Sequence, residues 1–487
     1  VSTPLLVILL AFFVFGRWNQ YPLRWSDAYA LGSDYQANLA LNPFESFFNT
    51  LRYRGKTYDP QVVQQNYAFL SGYLGMDSLN SQELIYSRTA SFPPASRDSQ
   101  LNVILVICES FSGYKSSMWG NPLNTTPFFD SLSRKGIFFD QCFTPTYGTA
   151  RGVWAILTGL PDVDLRQTSS RNPAAVDQQL ILSQYTGYEK YYFIGGSPSW
   201  ANIRGLLMNN IPGLKMYEED NLSSPRLDVW GVSDKNLFLE AAAVLGKSKT
   251  PFFAVIQTAD NHRPYSIPLE DSDFVLKSPP EPLLDANGFK DQVDYSKKLK
   301  EYNAFRYTDY TFQQFFEAVK RQPYFDHTLF VFVGDHGIAG EAGYPFPASW
   351  TTNRLTTLHV PLLFFAPSRL SPERIGKVVS QIDVMPTIAS LCGVSHVNTT
   401  LGRDILRLDS SRSFAFTFDP DNAKIGLVKG DHYYRQFLQN GREEIVSIRK
   451  GGPEPTQAQL AEYRRLTTSF YHTSGYLLTH NPKVLKK

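Results

Sequence analysis

Two short apolar runs, each ending on metal-type ligands, constrain this chain most. Val103-Ile104-Leu105-Val106-Ile107-Cys108 leads into Glu109-Ser110, and Val331-Phe332-Val333-Gly334 leads into Asp335-His336-Gly337. Such runs of branched and aromatic apolar residues read as strands buried on both faces. In open α/β sheets the chemistry collects where those strands end. Two carboxylates and an imidazole at the ends suit a divalent cation such as Mn²⁺, Zn²⁺ or Mg²⁺.

A third stretch lies between them. Gly148-Thr149 opens a helix-like pattern over 149–158 that stops at Gly159 and Pro161. A Thr at a helix N-terminus sets its hydroxyl beside free backbone N–H groups and the positive end of the dipole, a seat for phosphate. Taken alone it reads first as an ordinary N-cap. Arg151, two residues on, is a candidate partner for a phosphate oxygen or a solvated helix-face residue.

With 487 residues, 43% of them hydrophobic, the chain can bury a large core and should hold more than one domain. The aromatic content of 14% suits carbohydrate or lipid contact and equally a plain aromatic core. A net charge of +2 with no basic block argues against nucleic acid as a main partner. Cys108, Cys142 and Cys392 are too few and too scattered for a zinc cluster or a disulfide scaffold.

The apolar run Pro4–Gly16 is shorter than the ~20 residues that span a bilayer. Residues 1–16 are read as the outer end of a transmembrane helix, with Arg17, Trp18, Tyr21, Arg24 and Trp25 as an interfacial belt. Helix-like spacing over 30–50 and 60–73 and a Pro/Ser linker at 91–96 make 17–97 a helical connector. From 98 to 410, strand candidates at 103–108, 190–194, 252–257, 328–333 and 362–365 alternate with helix candidates at 128–135, 149–158, 202–209, 235–245, 297–321 and 383–391. That alternation predicts an α/β fold, a mostly parallel sheet flanked by helices. Residues 266–296 read as a long surface loop. After 411 the texture changes to short strands and a helix at about 455–471, a small antiparallel sheet plus helix subdomain over 411–487.

The order strand-Glu109, Gly148-Thr149 before a helix, strand-Asp335-His336 resembles the alkaline phosphatase/sulfatase superfamily. Within it the chain is most similar to the lipoteichoic acid synthase type, the lipid-dependent phosphoglycerol transferases. Stretches at 124–132, 230–234, 261–265, 359–363, 381–387 and 401–404 add to the likeness, which covers residues 98–406. The resemblance implies one divalent metal, Mn²⁺ in the first instance with Mg²⁺ or Zn²⁺ as alternatives, held by Glu109, Thr149, Asp335 and His336. It implies Thr149 as a nucleophile that forms a phosphoryl-Thr intermediate, with His262 as the second catalytic group. Substrate contacts fall to Arg151, Trp200, Asn202, Arg204 and His262. Trp200 and Arg204 stand four apart where the family pattern has two, and Asn202 is the alternative match. Sulfatases place a convertible Cys or Ser in a Cys-x-Pro-x-Arg context where this chain has Thr149-Ala150-Arg151-Gly152. Asp130, His359 and Asp383 are candidates for a second metal, with Asp383 read as structural.

The function expected is a membrane-anchored phosphotransferase of the cell membrane with its catalytic domain extracytoplasmic. It takes an alcohol phosphate, first glycerol phosphate, from the lipid donor phosphatidylglycerol to a glycan or polymer acceptor. A phosphodiesterase or sulfatase-like hydrolase, or a phosphoethanolamine transferase, is the alternative.

Overall fold

The computed structural model describes residues 3–16, 25–31, scattered positions between 36 and 55, 57–77, 79–93, 100–279 and 295–481. Its centre is β1 (Asn102–Cys108), whose side chains alternate between two cores. Val103, Leu105 and Ile107 enter one apolar cluster, and Ile104, Val106 and Cys108 enter the other. That period of two is the pleat of a strand covered on both faces.

In chain order the sheet continues with β2 (Ile137–Phe143), β3 (Glu189–Ile194), β4 (Leu214–Tyr217), β5 (Phe252–Gln257), β6 (Thr328–Gly334), β7 (His359–Phe365) and β8 (Glu373–Ser380). Among the described residues these form one eight-stranded sheet in the order β8-β2-β7-β6-β1-β5-β3-β4. All neighbours run parallel except β7, which is antiparallel to both β2 and β6. The expected mostly parallel sheet is therefore found, with one reversed strand inside it.

Helices cover both faces. On the first lie α4 (Thr149–Thr158), α5 (Ile203–Asn210) and α8 (Val384–Leu391). On the second lie α3 (Pro127–Ser133), α6 (Asp234–Leu245) and α7 (Tyr295–Val319). α7 presents Phe305, Phe312, Phe315, Phe316 and Val319 to the sheet, a helical stripe at spacings of three and four.

Beyond the sheet, β9 (Ala415–Asp419), β10 (Lys424–Lys429), β11 (His432–Phe437) and β12 (Glu443–Ser447) form the expected antiparallel meander. Helix α9 (Gln457–Leu477) and helix α2 (Pro60–Leu74) pack with it in a third apolar cluster. α2 starts where Asp59 accepts the Gln61 N–H at 2.8 Å with Pro60 at the first position, and it stops at Gly75 with φ 68°.

The N-terminal helix α1 (Thr3–Phe15) is apolar and exposed along Leu5–Leu10. Its 13 residues reach about 20 Å, and no described helix is long and apolar enough to cross a membrane. Trp25, expected at a lipid interface, is instead buried in the third cluster with Tyr67 and Leu70. Arg17, Trp18, Tyr21 and Arg24 lie outside the described residues, as does most of the expected helix at 30–50. Of the expected loop at 266–296, residues 266–279 are irregular, 280–294 are outside the described residues, and α7 already begins at Tyr295.

Candidate active site

Strands β1 and β6 are parallel neighbours in register, with Cys108 opposite Gly334. One step further, Glu109 and Asp335 emerge side by side, tied by the Asp335 N–H to the Cys108 carbonyl at 3.0 Å. The chain then turns sharply at Ser110, whose φ is 52°. The Ser110 N–H donates to Asp335 Oδ1 at 2.7 Å and its hydroxyl to Glu109 Oε1 at 2.6 Å. From the end of β5, the Thr258 hydroxyl accepts the Glu109 N–H at 2.9 Å.

Helix α4 brings in Thr149. Gly148 before it has φ 94°, which favours glycine at a position with open space around it. Gly152, one turn later, is glycine for another reason. A Cβ there would lie 2.4 Å from the Asp335 carbonyl oxygen, so α4 rests directly on the backbone of Asp335. Gly152→Ala is expected to cost about 1–3 kcal/mol and to lower activity by pushing Thr149 away from Asp335. Thermal unfolding and turnover of this one variant check both effects.

The Thr149 hydroxyl donates to Glu109 Oε2 at 3.0 Å and lies 3.4 Å from His336 Nε2. His336 Nδ1 faces the Gly337 carbonyl oxygen at 2.8 Å. A carbonyl only accepts, so the neutral ring carries its proton on Nδ1 and presents a lone pair from Nε2. His336 Nε2 stands 3.7 Å from Asp335 Oδ2 and 3.9 Å from Glu109 Oε1. The ligand atoms of Glu109, Asp335 and His336 all lie within 4.8 Å of one another, the one such cluster among the described residues.

The cluster is electrostatically incomplete. Asp335 Oδ1 takes the N–H groups of Ser110 and His336, but the fully buried Oδ2 has no hydrogen-bond partner. Burial, and then the Glu109 charge, push the Asp335 carboxyl up to about 7. Burial disfavours the His336 imidazolium, yet the Asp335 and Glu109 charges outweigh it and raise the pKa. An unpaired buried lone pair beside a second carboxylate and an imidazole nitrogen is a donor set that a divalent cation satisfies.

A cavity of about 490 Å³, counting its open mouth, begins at Glu109 and Thr149 and is walled by Trp200, Trp230, Gln257 and His262. Trp230 packs on His262 with ring centroids 4.1 Å apart and meets Trp200 edge-on at 6.3 Å. His262 Nδ1 faces the Arg263 carbonyl oxygen at 2.8 Å, so its Nε2 bears the lone pair in the neutral ring. Of the residues named from sequence, Thr149, Glu109, Trp200 and His262 share this cavity.

The three other substrate-contact candidates do not line it. Arg151 is buried and its guanidinium donates to the carbonyls of Asp162, Asp164 and Gln167 at 3.0, 2.7 and 3.4 Å, with the Asp162 carboxylate at 3.4 Å. It anchors the segment after α4 and is spent before any phosphate arrives. Arg204 makes a two-pronged ion pair with Glu218 at 2.7 and 2.6 Å, with the Asp27 carboxylate at 3.5 Å. Asn202 is buried in a left-handed turn at φ 58°. Trp230 was not singled out from the sequence, although it opens one of the family-like stretches.

The second-metal candidates are scattered into structural roles. Asp130 pairs with Arg134 at 2.7 Å, and Asp383 holds Arg403 at 2.9 Å as expected of a structural carboxylate. His359 donates from Nε2 to the Asp140 carbonyl at 2.7 Å inside a cage of Trp119, Phe143, Phe346 and Trp350, and burial lowers its pKa to about 4.

Comparison with known proteins agrees with this architecture. The sulfatase family model matches residues 101–394. Lipoteichoic acid synthase 1 of Bacillus subtilis (strain 168) is 26% identical over 333 residues, which is 65% of this chain and 49% of that protein. Lipoteichoic acid synthase of Staphylococcus saprophyticus is 24% identical over 345 residues, again 65% and 49%. The chain thus spans about half the length of the curated relatives it matches. Among solved structures, an alkaline phosphatase superfamily protein from Vibrio parahaemolyticus superposes with a TM-score of 0.71 at 20% identity, over 88% of this chain and 99% of that one. The lipoteichoic acid synthase LtaP from Listeria monocytogenes gives 0.65 at 18% identity, over 86% and 100%. With well over half of its length inside the family model, and strand ends that meet around Thr149, this chain belongs to the sulfatase family and is similar to the lipoteichoic acid synthases named above.

Proposed function

We propose that this protein is a membrane-anchored, extracytoplasmic phosphotransferase. It moves glycerol phosphate from phosphatidylglycerol to a glycan or polymer acceptor through a phosphoryl-Thr149 intermediate. The observation that carries this reading is the Thr149 hydroxyl, first residue of α4, within reach of Glu109 Oε2 and His336 Nε2 at once.

Glu109, Asp335 and His336 would hold a divalent cation together with Thr149, Mn²⁺ in the first instance. When bound, the cation lowers the pKa of the Thr149 hydroxyl and offsets the two carboxylate charges. Thr149 Oγ1 then forms a bond to phosphorus as the bond to the diacylglycerol oxygen breaks. His262 Nε2, which bears the lone pair in the neutral ring, takes the Thr149 proton and passes it to the leaving oxygen. The N–H groups of Thr149 and Ala150, which precede the Arg151 and Gly152 bonds to the Gly148 carbonyl, are the α4 donors for the negative equatorial oxygens. Trp200 and Trp230 close the wall of the cavity against water. In the second half, the acceptor hydroxyl gives its proton to His262 Nε2 and bonds to phosphorus as the P–Oγ1 bond breaks.

The test is a lipid panel. Solubilised protein with Mn²⁺ is given phosphatidylglycerol or phosphatidylethanolamine, and diacylglycerol release and the mass added to Thr149 are read together. Diacylglycerol with a glycerophosphoryl adduct is the expected result. An ethanolamine phosphate adduct moves the protein to the neighbouring branch, and neither product from either lipid overturns the lipid donor.

A further inference from the structure

The C-terminal sheet touches the segment that delivers the nucleophile. The Phe418 N–H at the end of β9 donates to the Pro145 carbonyl at 2.6 Å. Beside it, the Tyr147 hydroxyl donates to Asp419 Oδ1 at 3.0 Å. Tyr147 is two residues before Thr149, so their Cα atoms are at most about 7 Å apart. Between them stands only Gly148, with no side chain to fix its own conformation and with φ 94°.

A second contact reaches Tyr147 from the metal-ligand side. The Arg354 guanidinium lies over its ring, 5.3 Å from the centroid. Arg354 opens a turn whose Thr357 carbonyl accepts the Gly337 N–H at 2.9 Å, next to His336, and whose Leu358 carbonyl accepts the Thr144 N–H at 2.8 Å. Arg354 itself has a left-handed backbone, φ 56°, an unfavourable state for a side chain of that size. Tyr147 is therefore clamped between the C-terminal sheet and the segment packed on His336, directly before the glycine that precedes Thr149.

We propose that Tyr147, held by Asp419, is a positioning residue for Thr149, and that the C-terminal sheet thereby sets the direction of nucleophilic attack. The inference rests on Thr149 being the nucleophile. It gives the C-terminal subdomain a part in the chemical step rather than in stability alone. Burial, followed by the nearby Asp421 and Asp419 carboxylates, keeps the phenol from ionising, so it remains a hydrogen-bond donor across the working pH range. Small displacements of a reacting atom are expensive, with about 1 Å able to cost on the order of a hundredfold in rate.

The experiment measures how fast the glycerophosphoryl adduct forms on Thr149 after mixing the Mn²⁺-loaded full chain with phosphatidylglycerol. Tyr147→Phe, which keeps the ring under Arg354, is expected to slow adduct formation about tenfold, with donor KM and Mn²⁺ affinity within about twofold of the parent. Asp419→Ala should give the same loss, and the double variant no more than either, because all three break the Tyr147–Asp419 hydrogen bond, and the Asn422 bonds that Asp419→Ala also removes lie in the turn after β9. Asp419→Asn keeps an acceptor oxygen and should recover most of the rate. This acts as the folding-safe control should either other variant unfold. Adduct formation at the parental rate in Tyr147→Phe overturns the proposal, as do losses that multiply in the double variant. A parent chain that turns over donor but gains no adduct removes Thr149 as nucleophile and Tyr147's role with it, a failure told apart because it lies in the parent.

Discussion

Thr149→Ala is expected to lower turnover by about four orders of magnitude or more, the scale seen when a nucleophile that forms a covalent intermediate is deleted. The fold should survive. The lost hydroxyl bonds only Glu109 and His336, and Thr149 itself is only half-buried. A change in stability within about 1 kcal/mol is expected. Thr149→Ser keeps an oxygen at the same place and should retain measurable activity and a serine-borne adduct. Near-parental turnover in Thr149→Ala would remove the residue from the chemistry, and mass spectrometry of the trapped protein locates the group elsewhere if it is transferred by another side chain.

Metal removal is the second large effect, and its pH dependence has a definite sign. Asp335 is held near pH 7 in the folded chain by burial and by Glu109, against about 4 for an ordinary aspartate. A carboxyl raised on folding stabilises the protein below its unfolded value, and that stability is lost as pH rises through the folded value. The chelated protein should therefore lose stability from about pH 4 to about pH 7. Added Mn²⁺ competes with a proton at Asp335 and at His336, so the rise in melting temperature on adding it should grow from pH 5 to pH 8. Asp234 and Asp309, both also pushed up to about 7 by burial, slope the same way with or without the cation. The difference between metal-loaded and chelated curves isolates the site. A metal-induced shift that stays flat with pH would exclude Asp335 and His336 as ligands. Chelation should also abolish turnover, and Mn²⁺ should restore it.

The strands with unbroken branched or aromatic runs were legible in the sequence. β1, β5 and β6 lie within a residue of where their pattern puts them, because burial on both faces leaves no room for polar residues. β2 was not, since Asp140 and Gln141 interrupt its apolar run, and Asp140 reaches out to Arg374. β8 was missed for a related reason. It is an edge strand with Gly376 inside it and its first residues exposed, a pattern that local reading assigns to a loop. At the site, residue order revealed Glu109, Thr149, Asp335 and His336. It could not reveal that Arg151 and Arg204 are occupied, because their partners Asp162 and Glu218 are chosen by tertiary packing. The aromatic wall was half legible: Trp200 and His262 were named, while Trp230 needed the loop from 228 to 232 to fold over the strand ends.

The contact at Gly152 has one more consequence. Because α4 and the Asp335 backbone touch with no side chain between them, Thr149 and the Glu109, Asp335 and His336 cluster form a single rigid insert. The cavity wall is built by separate connections, the turn carrying Trp200, the ribbon carrying Trp230 and the loop carrying His262, and under the proposed function head-group recognition falls to them. The two parts are thus modular. Exchanging the recognition loops for those of a relative should retune which alcohol is carried while the bond-making machinery stays as it is, which makes this scaffold a natural starting point for engineered phosphodiester transfer.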